Sequence, residues 1–297
     1  PWLEFRYFHG WLVSEVIDSA RTLQYVSAYG PDRREFFTGK YIAANLFTIE
    51  PLENLRFSFG NSIVYSDEHA RAIFFIPFLF YKSADHFLTG AGSSRLGQNA
   101  QMFFDISFLQ IKHLHAYASL FVDEVSFSRF WDKEEHSNFF GMKGGVALHN
   151  WPHRAIHATA EYTRNHPLAY RHNTPVTTFE SNRYNLGHYL TDNADEWYLS
   201  LRWTPVPGGS VEVGRTLARK GPDYTLLGGS RLGLPFMSEE IWRFRELRIG
   251  LRYELVPGIQ ARAALSFTRS QGEEQTYLPV LFHGDQTTWS LGLSWRR

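Results

Sequence analysis

His149, His153 and His157 stand four residues apart, the spacing at which one face of a helix would offer imidazoles to a zinc ion. Pro152 lies between the first two, and the alternation that begins at Ile156 is that of a strand, so the helix needed to align them is not expected. Polar residues of a turn and of a wet strand face account for them. His113 and His115 are expected on one strand face with Tyr117, Ser119 and Asp123 for the same reason. Adjacent carboxylates occur at Glu134-Glu135, Glu239-Glu240 and Glu273-Glu274, all in expected loops, where neighbours need not aim at one bond as acid–base work requires. The chain has no Gly-x-Ser-x-Gly, no phosphate-cradling Gly-rich loop with Lys and no His-Glu-x-x-His. It also has no cysteine, which removes disulfides and thiolate metal sites. Neither an enzyme nor a metal or cofactor is expected.

The stretch 164–195 carries more. It offers Tyr170, Arg171, His172, Tyr184, Asn185, His188, Tyr189, Asp192 and Asp195 within about 30 residues that hold very few aliphatics. Sugars call for that mixture: flat apolar surface for the C–H face of a pyranose ring, and planar amide, carboxylate and guanidinium groups for paired hydroxyls. The three tyrosines are expected to stack on sugar rings, and the remaining six residues to bond hydroxyls or uronate groups. A solvated, self-packed surface loop is the plainer alternative.

The elements that must position this loop alternate from end to end. Leu247, Ile249, Leu251, Tyr253 and Leu255 interleave with Glu246, Arg248, Gly250, Arg252 and Glu254, and the same period of two recurs at Met102–Phe108, Leu114–Val122, Ile156–Tyr162 and Ile259–Phe267. The clearest copies are Trp197-Tyr-Leu-Ser-Leu-Arg-Trp203 and Trp289-Ser-Leu-Gly-Leu-Ser-Trp295. Each presents Trp-Leu-Leu-Trp on one side, the profile of a lipid-facing strand with indoles at the headgroup boundary. Trp197, Trp203, Tyr253, Trp289 and Trp295 are the expected interface aromatics. Glu4, Arg6, Glu246, Arg248, Arg252 and Glu254 are expected to line a lumen; being mixed in sign, they would not select one ion charge.

Alternation alone would equally suit a soluble sandwich with its apolar face inside. Connection lengths favour the membrane. Read back from the C-terminus they alternate: 270–288 long, 256–258 short, 219–241 long, 205–209 short, 164–195 long, 150–152 short, 124–138 long and 109–112 short. That is the rhythm of barrels with short periplasmic turns and long extracellular loops. It breaks between Ser66 and Gln101, where a second crossing within Tyr81 to Gly90, or an inward-folded plug, would restore it. The expectation is an all-β chain: one transmembrane antiparallel β-barrel domain spanning 1–297, of about 14 strands.

Composition agrees. The longest apolar run, Ala72 to Tyr81, is too short for a membrane helix and contains Pro77. Charge balances at 30 Lys and Arg against 30 Asp and Glu, which removes the usual reason to expect nucleic acid as a partner. The chain opens at Pro1 in strand-like sequence without a leader pattern, so a processed or truncated product is expected.

The run Thr178-Phe-Glu-Ser-Asn-Arg-Tyr-Asn-Leu-Gly-His188-Tyr-Leu-Thr-Asp-Asn-Ala-Asp195 and the strand Glu196 to Trp203 resemble the capsule assembly Wzi family of outer-membrane proteins. So do Phe75-Ile-Pro-Phe-Leu-Phe80, Asn99, Phe103-Phe-Asp105 and Leu120-Phe-Val-Asp-Glu124, and the similarity runs from about Lys40 onward. The resemblance implies a large barrel in the outer membrane of a Gram-negative-type cell. It would act as a surface lectin holding capsular or exopolysaccharide, with outer-membrane lipid and other outer-membrane proteins as further partners. Two departures stand beside it. Members of the family usually carry more chain upstream, and the last residues here lack the final Phe common in outer-membrane proteins, leaving Trp295 as the nearest aromatic. A porin, an export channel or a structural subunit of a larger assembly is the alternative.

Overall fold

The computed structural model describes residues 2–90, 97–227 and 229–295. Its strands are β1 (Leu3–Leu12), β2 (Leu23–Ser27), β3 (Gly30–Arg34), β4 (Lys40–Leu52), β5 (Leu55–Ser66), β6 (Gln98–Phe108), β7 (Leu114–Glu124), β8 (Phe139–His149), β9 (Ile156–Asn165), β10 (Glu180–Ser181), β11 (Tyr184–Asn185), β12 (Ala194–Val206), β13 (Gly209–Lys220), β14 (Trp242–Val256), β15 (Ile259–Gly272) and β16 (Asp285–Trp295). Twelve of them form one antiparallel sheet in the order β1-β4-β5-β6-β7-β8-β9-β12-β13-β14-β15-β16. The remaining four make two small hairpins, β2-β3 and β10-β11, inside long connections.

Each strand of the large sheet neighbours the next strand of that sheet along the chain, so connections alternate between its two ends. The five short ones each turn on a residue in the left-handed region: Asn54 (φ 64°), His113 (φ 71°), Asn150 (φ 58°), Gly208 (φ 76°) and Gly258 (φ 86°). Asn and Gly reach that region at low cost, which lets two long strands reverse within a few residues. The six long connections, 13–39, 67–97, 125–138, 166–193, 221–241 and 273–284, gather at the other end. The long–short rhythm read from the sequence is thus present and extends through the N-terminal half.

Register carries one face across the sheet. Ile49, Phe57, Ile106, Ala118, Gly144, Tyr162, Trp197 and Leu217 pair in succession, as do Ile156, Trp203, Val211, Leu251, Ala263 and Leu291. This face is apolar and, along β12 and β13, the more exposed, as befits the convex side of a curved sheet. Trp197, Trp203, Tyr253, Trp289 and Trp295 all stand on it, exposed. The opposite face carries Ser58, Asp105, Ser119, Lys143, Thr163, Glu196, Thr216, Glu246 and Arg248 and is polar. Sheet twist and curvature place this polar set on the concave side.

The segment after β5 departs from expectation. About 14 strands were expected, with a crossing within Tyr81 to Gly90; those residues instead form helix α1 (Tyr81–Gly90), preceded by a 3₁₀ turn at Ala72–Phe75. Pro77 cannot serve a central strand, and beyond it the buried side chains, Tyr81 and Ala84, are three apart rather than two. Among the described residues no strand lies between β5 and β6, and the large sheet has 12. Nor is the segment an inward plug: Phe74, Tyr81 and Ala84 pack on the apolar face, against Tyr41, Ala43, Ile63, Tyr65 and Ala100. A second cluster, Leu190 with Ala194, Ala218 and Trp242, lies at the loop end of β12–β14 on the concave side.

Candidate functional site

The 166–193 connection folds inward as a packed cap. Leu168, Ala169, Val176, Thr177 and Leu190 are buried in it. Tyr170, expected to be a stacking platform, is only 5% exposed: its ring lies 5.0 Å from Phe121 of β7, and its hydroxyl donates to Asn165 Oδ1 at 3.1 Å. Two glycines make room for that ring. A Cβ on Gly141 would meet the Tyr170 hydroxyl at 2.8 Å, and one on Gly187 would meet the ring at 2.3 Å. Burial pushes the phenol up to about 12, so it stays a neutral donor.

The cap is fastened at three places. Lys220, at the end of β13, donates to Leu190 O (3.0 Å), Thr191 Oγ1 (2.8 Å) and Asp192 O (2.6 Å), while Asn165 donates to Thr191 O (2.7 Å). These bonds hold Thr191 at φ 61°, a left-handed conformation that a β-branched residue rarely adopts. Next, Asp192 accepts from the Leu168 amide (3.1 Å), and Arg171 lies 3.8 to 4.0 Å from Glu180, Asp192 and Asp223. Finally, the β10-β11 hairpin, which turns through Asn182 (φ 49°) and Arg183 (φ 66°), crosses to the end of β1. There the Val13 amide donates to Ser181 Oγ (3.0 Å), the Asn182 amide to Val13 O (3.0 Å), and Arg183 pairs with Glu15 at 2.6 Å.

Several expected contact residues are therefore fasteners. Asp192 is 2% exposed, Arg171 bridges carboxylates, and His172 bonds Thr177 Oγ1 at 2.7 Å. Asp195 belongs to β12 rather than to the loop and points to the convex side, where Arg219 grips it through Nε (2.9 Å) and Nη2 (2.5 Å). Asn185 accepts from the Gly187 amide at 2.6 Å within the turn.

Two of the three tyrosines do stand out: Tyr184 is 74% and Tyr189 65% exposed. His188 packs tilted against Tyr189 with ring centroids 4.7 Å apart. The Tyr189 hydroxyl, the sheltered end of an otherwise exposed ring, donates to Glu196 on the concave wall, and the loss of water there together with that carboxylate pushes the phenol pKa up. His188 Nε2 lies 3.9 Å from Glu196 Oε1, but burial, helped by Lys143, lowers the imidazole to about 4. At neutral pH the contact is that of a neutral ring with a carboxylate, not an ion pair.

Below Tyr189 the wall continues with groups that sequence reading did not single out. Lys143 of β8 pairs with Glu161 of β9 at 3.0 Å, and Tyr117 of β7 donates to the other oxygen of Glu161 at 2.7 Å. Tyr189, Glu196, Lys143, Glu161 and Tyr117 make a continuous strip of phenols, carboxylates and one ammonium. Alternation marks each as wet-facing; only register brings them together. Farther along the wall a cavity of about 490 Å³ is lined by Arg202, Glu212, Glu246, Arg248, Arg252 and Arg262. Arg202 pairs with Glu212 at 2.6 Å and Glu246 accepts from Ser266, whereas Arg252 sits directly opposite Arg262. Arginine outnumbers carboxylate here, against the even mixture expected. Glu4 and Arg6 share the polar face but pair with each other at 2.6 Å, and Glu254 accepts from the Gly258 amide at 3.2 Å beside a short turn. His149 and His157 face each other across the β8-β9 turn with Nδ1 atoms 3.3 Å apart, and His113 lies in a turn rather than on β7. Among the described residues no group of three or more His, Asp or Glu is placed to hold a metal.

No family model matches the chain, and no curated protein matches it. Among solved structures it is similar to Wzi of Escherichia coli, an outer-membrane protein involved in group 1 capsule assembly and a carbohydrate-binding β-barrel: the TM-score is 0.55 and the identity 11%, over 96% of this chain and 64% of that one. OccD3 of Pseudomonas aeruginosa aligns with a TM-score of 0.46 and 13% identity over 86% of this chain and 56% of that one. The chain thus spans less than two thirds of the length of either. A likeness of 11% identity is a likeness of fold alone: the twelve-stranded antiparallel sheet follows the strand arrangement of that barrel.

Proposed function

We propose that this protein is an outer-membrane β-barrel, its convex apolar face in lipid and its long connections outside the cell, that binds surface polysaccharide at its loop end without covalent chemistry. The observation that carries the reading is the split within the 166–193 cap: Leu168, Tyr170, Val176, Leu190 and Asp192 are buried, while Tyr184 and Tyr189 are left exposed above a strip of hydroxyl-bonding groups. Exposed rings on a packed support, set beside hydroxyl-bonding groups, are the combination a sugar ligand needs. Stacking on Tyr184 and Tyr189 would orient sugar rings, and His188, Glu196, Lys143 and Glu161 would take their hydroxyls. A repeating polymer would engage many such weak contacts at once. The carbohydrate binding of Wzi, a barrel of the same fold, supports the same reading. Retention of the organism's own polysaccharide by detergent-purified protein, against an unrelated barrel of similar size, tests it. Tyr184→Ala with Tyr189→Ala should lower that retention at least tenfold while the barrel stays folded; full retention would move the site elsewhere.

The second reading is a diffusion or export channel. It is favoured by the arginine-rich cavity on the concave wall, which lies away from the tyrosines and would meet solute in a bore.

A further inference from the structure

Residues 67–90 run down the convex face. Their route is lined with polar side chains that would otherwise interrupt that face. Asn45 donates to Pro77 O at 3.0 Å and Leu79 O at 2.9 Å, and Asn61 donates to Asn45 Oδ1 at 2.7 Å while accepting from the Tyr81 amide at 2.7 Å. Tyr7 donates to Phe74 O at 2.9 Å. Within the segment the amides of Phe74, Ile76 and Leu79 reach Arg71 O, Ile73 O and Ile76 O, and Pro77 has no N–H to satisfy. A non-helical backbone survives in hydrocarbon only when its polar groups are met by protein, and here the sheet meets the carbonyls of Phe74, Pro77 and Leu79 and the amide of Tyr81.

From Ala72 to Phe80 the segment's other side is apolar: Phe75, Ile76, Phe78 and Phe80 project outward, Phe78 with 67% of its surface exposed. Farther on, Ser83 and His86 are exposed. Phe78 packs 4.7 Å from Phe5 and 6.3 Å from Phe47, the partner of Phe59 across the β4-β5 ladder. Phe59 is five residues from Asn54 in its short turn, and Trp203 is five from Gly208 in its own. Phe78 therefore reaches the depth of the inner tryptophan of the β12 stripe, and the exposed rings of Phe57, Phe59 and Phe104 continue the apolar surface beside it.

We propose that residues 72–80 form a membrane-embedded re-entrant segment whose outward aromatic face is covered by lipid acyl chains. It replaces a polar stretch of barrel wall with an apolar one. The inference rests on the outer-membrane reading, and its test separates the two. Because the chain has no cysteine, single variants Phe78→Cys and Phe75→Cys can carry a nitroxide in the full chain reconstituted into phosphatidylcholine vesicles, with Leu201→Cys as the strand reference and Tyr29→Cys, at the tip of the β2-β3 hairpin, as the aqueous reference. Collision with oxygen and with a nickel chelate is then measured. The expected result is a label at 78 and 75 that favours oxygen over nickel to the same degree as the label at 201. Nickel accessibility like that at 29, with 201 still in lipid, overturns the inference alone. So does shielding from both reagents, which would mean a protein occupant such as a second copy. A nickel-accessible label at 201 overturns the membrane reading and the inference with it.

Discussion

Tyr170 leans over Gly187 so closely that a single added carbon on the glycine would come within 2.3 Å of the ring. The contact joins the buried start of the cap to the turn that carries Tyr184, His188 and Tyr189. Gly187→Ala forces one of the two apart. Overpacking of this kind costs about 1–3 kcal/mol, and here it should appear as faster proteolysis within 166–193 and weaker polysaccharide retention. The barrel's resistance to unfolding in detergent should be unchanged. Equal proteolysis rates for variant and parent would show that the contact does not hold the cap.

Acid should loosen the same cap. Burial is the main cause that lowers His166 and His188 to about 4 and shifts His172 in the same direction. Exposed histidine takes its proton near 6.5. A depressed folded value means the released cap binds more protons than the docked one, so docking is fully favoured above about pH 6.5 and weakens as pH falls toward 4. Proteolysis of the cap by an acid-tolerant protease should accelerate across that window. A rate constant in pH from 7 to 4 would contradict it.

Lys220 offers a sharper lever. Its ammonium closes on three cap oxygens, and hydrogen bonds to a charged group are each worth about 1.5–3 kcal/mol. Lys220→Met keeps the stem and removes the donors, leaving Leu190 O and Asp192 O unmet and Thr191 without one of the bonds that hold its left-handed backbone. Raised hydrogen exchange confined to 188–193 is the expected outcome. Protection unchanged from the parent would assign the fastening to Asn165 alone.

The arginine-rich cavity bears on the channel reading. If solute passes there, replacing Arg248, Arg252 and Arg262 with Ala should shift the reversal potential of the reconstituted protein toward cation preference. The shift should shrink as salt is raised and screening lengths fall to about 3 Å at 1 M. Identical selectivity in parent and variant would leave these side chains outside any conducting path.

Much of the wall was legible. Period-two stripes such as Leu247 to Leu255 and Trp197 to Trp203 became β14 and β12, because alternation reports one wet and one dry face directly. The crossing expected within Tyr81 to Gly90 is a helix instead: a stretch bonded into a sheet and one laid across a sheet's surface look alike one residue at a time. The cap's position was legible, but its orientation was not. Tyr170 and Tyr184 are the same residue type in the same connection, and what separates them is room made by Gly141 and Gly187. Asp195 was misplaced because the strand starts at Ala194, and one step along a strand reverses the face. The strip from Tyr117 through Lys143 and Glu161 to Glu196 depends on stagger between strands, which no local pattern encodes.

The β10-β11 hairpin, bonded to Val13 and Glu15, turns the cap into a mechanical link between parts of the chain 168 residues apart. If the proposed polymer is held at Tyr184, a pull on it would load that hairpin first. The force would pass into β1 through two backbone-centred bonds and an ion pair, and back into β9 and β12 through the cap's own ends. Tension on the glycan would thus be shared between two distant regions of the sheet instead of peeling a single loop away from its anchor.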